Sequence, residues 1–152
     1  MSTPEERLGE LGLTVPEVAK PVAAYIPALR SGNHVYTSGQ LPMREGQLIQ
    51  TGKVGGEVTQ DEAVECARQC ALNALAAIRA EIGELSNIKR IVKVVAFVAS
   101  TPDFTGQPLV ANGVSELLAE VFGDVGRHAR SAVGVSVLPL DAPVEVELIV
   151  EV

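Results

Sequence analysis

The sequence predicts one α/β domain of the α+β kind, a mixed sheet that carries two main helices on one face. Three observations point there. The chain has 152 residues, the usual size of a single domain with one core. Residues 60–82 repeat apolar side chains at the helical period, whereas residues 143–152 alternate them with acids at the period of a strand. The composition is 47% hydrophobic but only 3% aromatic, so the core is built from Val, Ile, Leu and Ala, which suits helices laid closely on a sheet.

The elements follow in order. Ser2 or Thr3, then Pro4, Glu5 and Glu6, give a cap, a first-turn proline and acids at the positive end of a helix dipole, so a short helix starts here and ends near Gly9 or Gly12. Pro16 and Pro21 make the next stretch an extended connector, and residues 1–20 form an N-terminal helix and connector to the domain. Tyr25 to Leu29 and His34 to Ser38 read as strands around a turn at Arg30, Ser31, Gly32 and Asn33. Met43 to Ile49, around Glu45 and Gly46, is a third strand of the same antiparallel set.

Thr59 with Glu62 forms a capping box, and Ala63, Ala67, Cys70, Ala71, Ala74, Leu75, Ile78 and Ile82 make a helical stripe that Gly83 ends. Ile88 to Ala99 is apolar except at Lys89, Arg90 and Lys93, which predicts a strand covered on both faces. Too few helices exist to cover both, which hints at oligomerisation. A second long helix starts near Pro108, carries Leu109, Val110, Val114, Leu117, Leu118, Val121 and Phe122 on its apolar face, and stops at Gly123. Ser131 to Leu138 and Pro143 to Val152 are two final strands, linked by residues 139–142 and expected to lie side by side. In the last, Val144, Val146, Leu148, Val150 and Val152 point one way, while Glu145, Glu147, Ile149 and Glu151 point away from the helices.

The net charge of −7, with no basic run interleaved with aromatics, argues against nucleic acid as a partner. No apolar run approaches the length of a membrane span and the N-terminus is acidic, so no membrane association and a cytoplasmic setting are expected. Cys66 and Cys70 lie one helical turn apart among alanines and read as buried thiols rather than metal ligands, because no second ligand pair accompanies them. There is no phosphate loop, nucleophile elbow, two-histidine zinc motif or dinucleotide fingerprint, and Val54, Gly55 and Gly56 read as a flexible turn. His34 reads as a strand-end residue and His128 as a solvated loop histidine.

Two charged residues stand out. Arg130 precedes a strand of small and apolar residues and offers a rigid fork for a carboxylate; Glu145 opens the acidic face of the last strand. Together with Tyr36 to Pro42 (Tyr-Thr-Ser-Gly-Gln-Leu-Pro), Ala129 to Val133 (Ala-Arg-Ser-Ala-Val), Leu138-Pro139 and Val144 to Glu147, they make the chain resemble the reactive-intermediate deaminase (Rid) family, also called YjgF-like, from about Tyr25 to Val152. The resemblance implies a chorismate-mutase-like fold, a homotrimer whose sheets form a central barrel, and clefts between subunits. There, without a metal or organic cofactor, reactive 2-enamines and 2-imines are hydrolysed to 2-keto acids and ammonia.

On that resemblance, Arg130 grips the substrate carboxylate and Glu145 orients or activates water, both as catalytic residues. Tyr25, Ser38, Gly39, Asn112 and Ala132 bind substrate, Asn112 matching after one residue of slippage. Ala132 stands where the family often has Cys, and the surroundings of Tyr25 read Ala-Ala-Tyr-Ile-Pro-Ala rather than Gly-Pro-Tyr. The ligand is then a small imine or keto acid. The alternatives are a carboxylate-binding protein without turnover, or a ribonuclease or translation inhibitor.

Overall fold

The computed structural model describes residues 2–19, 21 and 24–152, so positions 20, 22 and 23 of the expected connector lie outside the described residues. Helix α1 spans Pro4–Glu10 and is capped by Thr3, whose hydroxyl accepts from Glu6 N–H while the Glu6 carboxylate accepts from Thr3 N–H. Its fully buried Leu8 and an Arg7 bond to the Val121 carbonyl (3.1 Å) pin it to the body of the chain.

Strand β1, Ala28–Ser31, starts three residues later than expected and leaves Tyr25 in a bend; β2 is His34–Thr37. The turn between them is only Gly32 and Asn33, with Gly32 at φ +60°, the left-handed first position of a tight hairpin. Met43 to Ile49 does not join that sheet. Glu45 and Gly46 both have positive φ (53° and 81°), which folds the segment on itself as β3 (Met43–Arg44) and β4 (Gln47–Leu48), a separate two-stranded ribbon.

Helix α2, Gln60–Ile82, carries the predicted capping box at Thr59 and Glu62 and ends at Gly83. Strand β5 is Arg90–Ala99 and α3 is Gln107–Phe122, where Leu109 is exposed rather than on the buried stripe. Strand β6 is Ala129–Val135 and β7 is Val144–Glu151. The main sheet runs β1-β2-β7-β5-β6, with β6 parallel to β5 and all other pairs antiparallel. The last two strands are therefore not neighbours. The crossover through α3 lays β6 beside β5 at the outer edge, and the chain then passes the end of β5, through Leu140 and Asp141 at positive φ (60° and 61°), to reach β7 on its other side.

Helices α2 and α3 cover one face of the sheet. On that face Val35, Val150, Ile91, Val94, Ala96, Val98, Val146 and Leu148 are buried with the small-residue stripe of α2, including both free cysteines. Burial pushes the Cys66 thiol up to about 11 and Cys70 well above the usual range, so both are inert structural thiols. On the other face β5 and β7 are only half-buried, so β5 is covered on one side alone within the chain. The turn at residues 54–56 is tied rather than flexible: Val54 is fully buried and its N–H donates to the Ala99 carbonyl (2.8 Å). Among the described residues no helix is long and apolar enough to cross a membrane.

Candidate functional site

The predicted site residues fall into two groups. The register makes Arg130 a partner of Val94 and Ala132 a partner of Ala96, both buried under the helices, so Arg130 and Ala132 share the helix-bearing face. Glu145 pairs with Phe97, which pairs with Val133, on the open face. Arg130 and Glu145 thus lie on opposite faces, two strands apart and three residues out of step, which is roughly 14 Å between their backbones at ordinary sheet spacings. The chain does not bring them together.

Around Glu145, Gln40 exchanges backbone bonds with Val146 (2.8 and 3.0 Å), laying Ser38 and Gly39 along the start of β7. A methyl group on Gly39 would lie 2.5 Å from the Glu145 carboxylate, so any larger residue here would displace that side chain from its present position. Ser38 donates its hydroxyl to the Ile26 carbonyl (2.6 Å) and its N–H to that of Pro27 (2.8 Å), which fixes the segment after the exposed Tyr25. The buried pair Gln69 and Asn73 supports this loop, Asn73 donating to the Leu41 and Met43 carbonyls and Gln69 accepting from Arg44. Half-burial first, then the charge of Glu147 on the same face, raises the Glu145 carboxyl above its ordinary value. A carboxyl so placed is a better proton acceptor near neutrality than a solvated one.

Around Arg130, α3 supplies every partner. Nη1 donates to Asn112 Oδ1 (2.8 Å) and Ser115 Oγ (3.2 Å), and Nη2 to the Pro108 carbonyl (3.3 Å). All three acceptors are neutral. A guanidinium has five N–H groups, so Nε–H and one Nη2 hydrogen have no acceptor among the described residues. Asn112 therefore lies beside Arg130. Sequence reasoning missed Ser115 and misplaced His128, which is half-buried rather than solvated: His128 Nε2 lies 2.8 Å from Ser115 Oγ, and its Nδ1 lies 2.6 Å from the Gly126 carbonyl. A serine one turn after Asn112 was the available signal, since residues three apart share a helix face. His34 does begin β2, as expected.

No group of three or more His, Cys, Asp or Glu that could hold a metal occurs among the described residues. A groove of about 330 Å³ at the far end of β5 and β6, lined by Lys53, Ser100, Gln107 and Ser136 among others, contains none of the predicted site residues in its lining.

Comparison with known proteins gives a consistent picture. The family described as "YjgF/chorismate mutase-like, putative endoribonuclease" matches residues 5–152. A Trypanosoma cruzi protein, TCP17, is 45% identical over 145 residues, covering 95% of this chain and 91% of its own. A 2-iminobutanoate/2-iminopropanoate deaminase from Dermatophagoides farinae is 32% identical over 138 residues, 91% of this chain and 93% of its own. Among solved structures, a protein of unknown function from Agrobacterium tumefaciens is 48% identical with TM-score 0.92, covering 99% of this chain and 92% of that one. A "putative endoribonuclease" from Shewanella oneidensis is 36% identical with TM-score 0.96, covering 99% of this chain and all of that one.

Proposed function

Since the chain belongs to the YjgF/chorismate-mutase-like family, we propose that it hydrolyses reactive 2-enamine and 2-imine carboxylates to 2-keto acids and ammonia, at clefts where two copies meet. The observation that carries this reading is the Arg130 guanidinium, held only by neutral acceptors with Nε–H and one Nη2 hydrogen left without an acceptor among the described residues. Such a pair of donors matches the two oxygens of a carboxylate. The deaminase named among the relatives acts on substrates with that group.

The rest of the chemistry is a proton balance. With the carboxylate on Arg130, water adds to the imine carbon while Glu145 takes one water proton and passes it to nitrogen, giving a carbinolamine; Glu145 then carries the carbinolamine hydroxyl proton to nitrogen as the C–N bond breaks, leaving the keto acid and ammonia. Within one copy the anchor and the acid are too far apart to share a molecule of this size, so the second copy supplies the missing group. The half-buried apolar side chains of the open sheet face support association of copies there, and we take that assembly to be a homotrimer. The same face carries Glu145, Glu147 and Glu151, which opposes a polyanion and disfavours the ribonuclease reading. We place the reaction in the cytoplasm, which fractionation of expressing cells checks.

The test is hydrolysis of 2-iminopropanoate, generated in situ by an amino-acid oxidase, followed by its loss and by ammonia release. The wild type is expected to accelerate it, and Arg130→Ala and Glu145→Gln to abolish the acceleration. Pyruvate binding without any acceleration would instead support a carboxylate-binding protein.

A further inference from the structure

We propose that His128 and Ser115 are positioning residues for Arg130, a hydrogen-bond relay that fixes which edge of the guanidinium meets a carboxylate; this rests on the reading of Arg130 above.

The direction of each bond follows from its partners. The Gly126 carbonyl can only accept, so Nδ1 of His128 carries the ring proton. In the neutral ring Nε2 is then an acceptor, and the Ser115 hydroxyl donates to it. With its hydrogen committed, Ser115 Oγ presents a lone pair to Arg130 Nη1. Asn112 takes the other Nη1 hydrogen, so α3 grips this end of the fork from two positions three residues apart. With Nη1 held at both hydrogens and Nη2 steadied by the Pro108 carbonyl, Nε–H and the second Nη2 hydrogen are what remain for a carboxylate.

Among the described residues the His128 ring packs on no other aromatic and its hydrogen-bond partners are Ser115 and the Gly126 carbonyl, so the relay is what accounts for a histidine there. Without it, the Ser115 side chain is free to turn toward the carbonyl of the preceding helical turn, as helical serines do, and Arg130 keeps a single partner on Nη1. The charge would remain but the fork would wander. Substrate binding should therefore suffer more than the chemical step, because Glu145 and its water are untouched.

The experiment measures pyruvate dissociation constants by calorimetry, and kcat and KM for 2-iminopropanoate. It uses wild type, Ser115→Ala, His128→Ala, His128→Gln, Arg130→Ala and the double variant Arg130→Ala/His128→Ala. His128→Ala and Ser115→Ala are each expected to weaken pyruvate binding and raise KM about fivefold with kcat within about twofold, as loss of preorganisation in an anchoring group does. His128→Gln, whose amide oxygen can accept from Ser115, should recover most of the loss. In the Arg130→Ala background, His128→Ala should add nothing. Ser115→Ala keeps a strong helix former in α3 and so reports on the relay even where His128→Ala is poorly folded.

Wild-type binding in both single variants overturns the relay and leaves the Arg130 reading standing. So does an equal penalty for His128→Ala with and without Arg130. A wild type that neither binds pyruvate nor hydrolyses the imine overturns the functional reading, and the relay with it.

Discussion

Arg130 and Glu145 are tuned in opposite ways. Arg130 is surrounded by neutral oxygens, so what matters is direction. Arg130→Lys retains the charge but loses the two-pronged edge, and KM for the imine should rise at least about tenfold, measured in the same oxidase-coupled assay. Glu145 is tuned by burial, which disfavours its charged form. Its folded-state pKa lies above 4.5, so its favourable contribution to folding is present while it is protonated and is lost as pH rises through the raised value. Glu145→Gln should therefore melt above the wild type at neutral pH, an advantage that vanishes below about pH 4.5 in thermal scans. Removing the second cause with Glu147→Gln should move the acidic limb of kcat/KM to lower pH. Both charged residues were singled out in the sequence, Arg130 because it stands at the entry of a strand of small and apolar residues and Glu145 because it opens the acidic face of the last strand. The Ser115–His128 contact was not: it joins residues thirteen apart across a helix and a strand end, and local spacing carries no trace of it.

Helix α2 sets the level on which the site rests. Thr59 and Glu62 close its N-terminus reciprocally, and Thr59→Ala should cost about 1 kcal/mol in denaturant melts without changing KM, since the cap lies apart from both half-sites. The crossing of α2 and α3 is closer still: a methyl group on Gly113 would collide with the Val64 carbonyl. Gly113→Ala should destabilise by about 1–3 kcal/mol. Because Gly113 directly follows Asn112, the shifted helix should also weaken pyruvate binding. Helices of this kind are readable from period and caps. The placement of β6 and β7 on either side of β5 was not, because two strands joined by a short proline-containing link look like a hairpin. Only the α3 crossover, which sends β6 to the edge, forces the link to pass around β5.

The open face of the sheet is the largest unfinished surface. Leu29, Tyr36 and Val133 are exposed on it, and Val95, Phe97 and Ile149 are half-covered, interleaved with Glu145 and Glu147. The alternation along β7 foretold this face in the sequence, but no residue pattern in one chain states what meets it. If other copies do, Val133→Asp should leave the melting of the isolated fold nearly unchanged while light scattering shows smaller particles and the deaminase rate collapses. The separation of Arg130 and Glu145 onto opposite faces then has a genetic signature. Chains carrying Arg130→Ala and chains carrying Glu145→Gln are each defective, yet they spoil different halves of a shared cleft. Unfolded together and refolded as mixed rings, they should complement, restoring about one quarter of wild-type activity where an intact arginine meets an intact glutamate by chance.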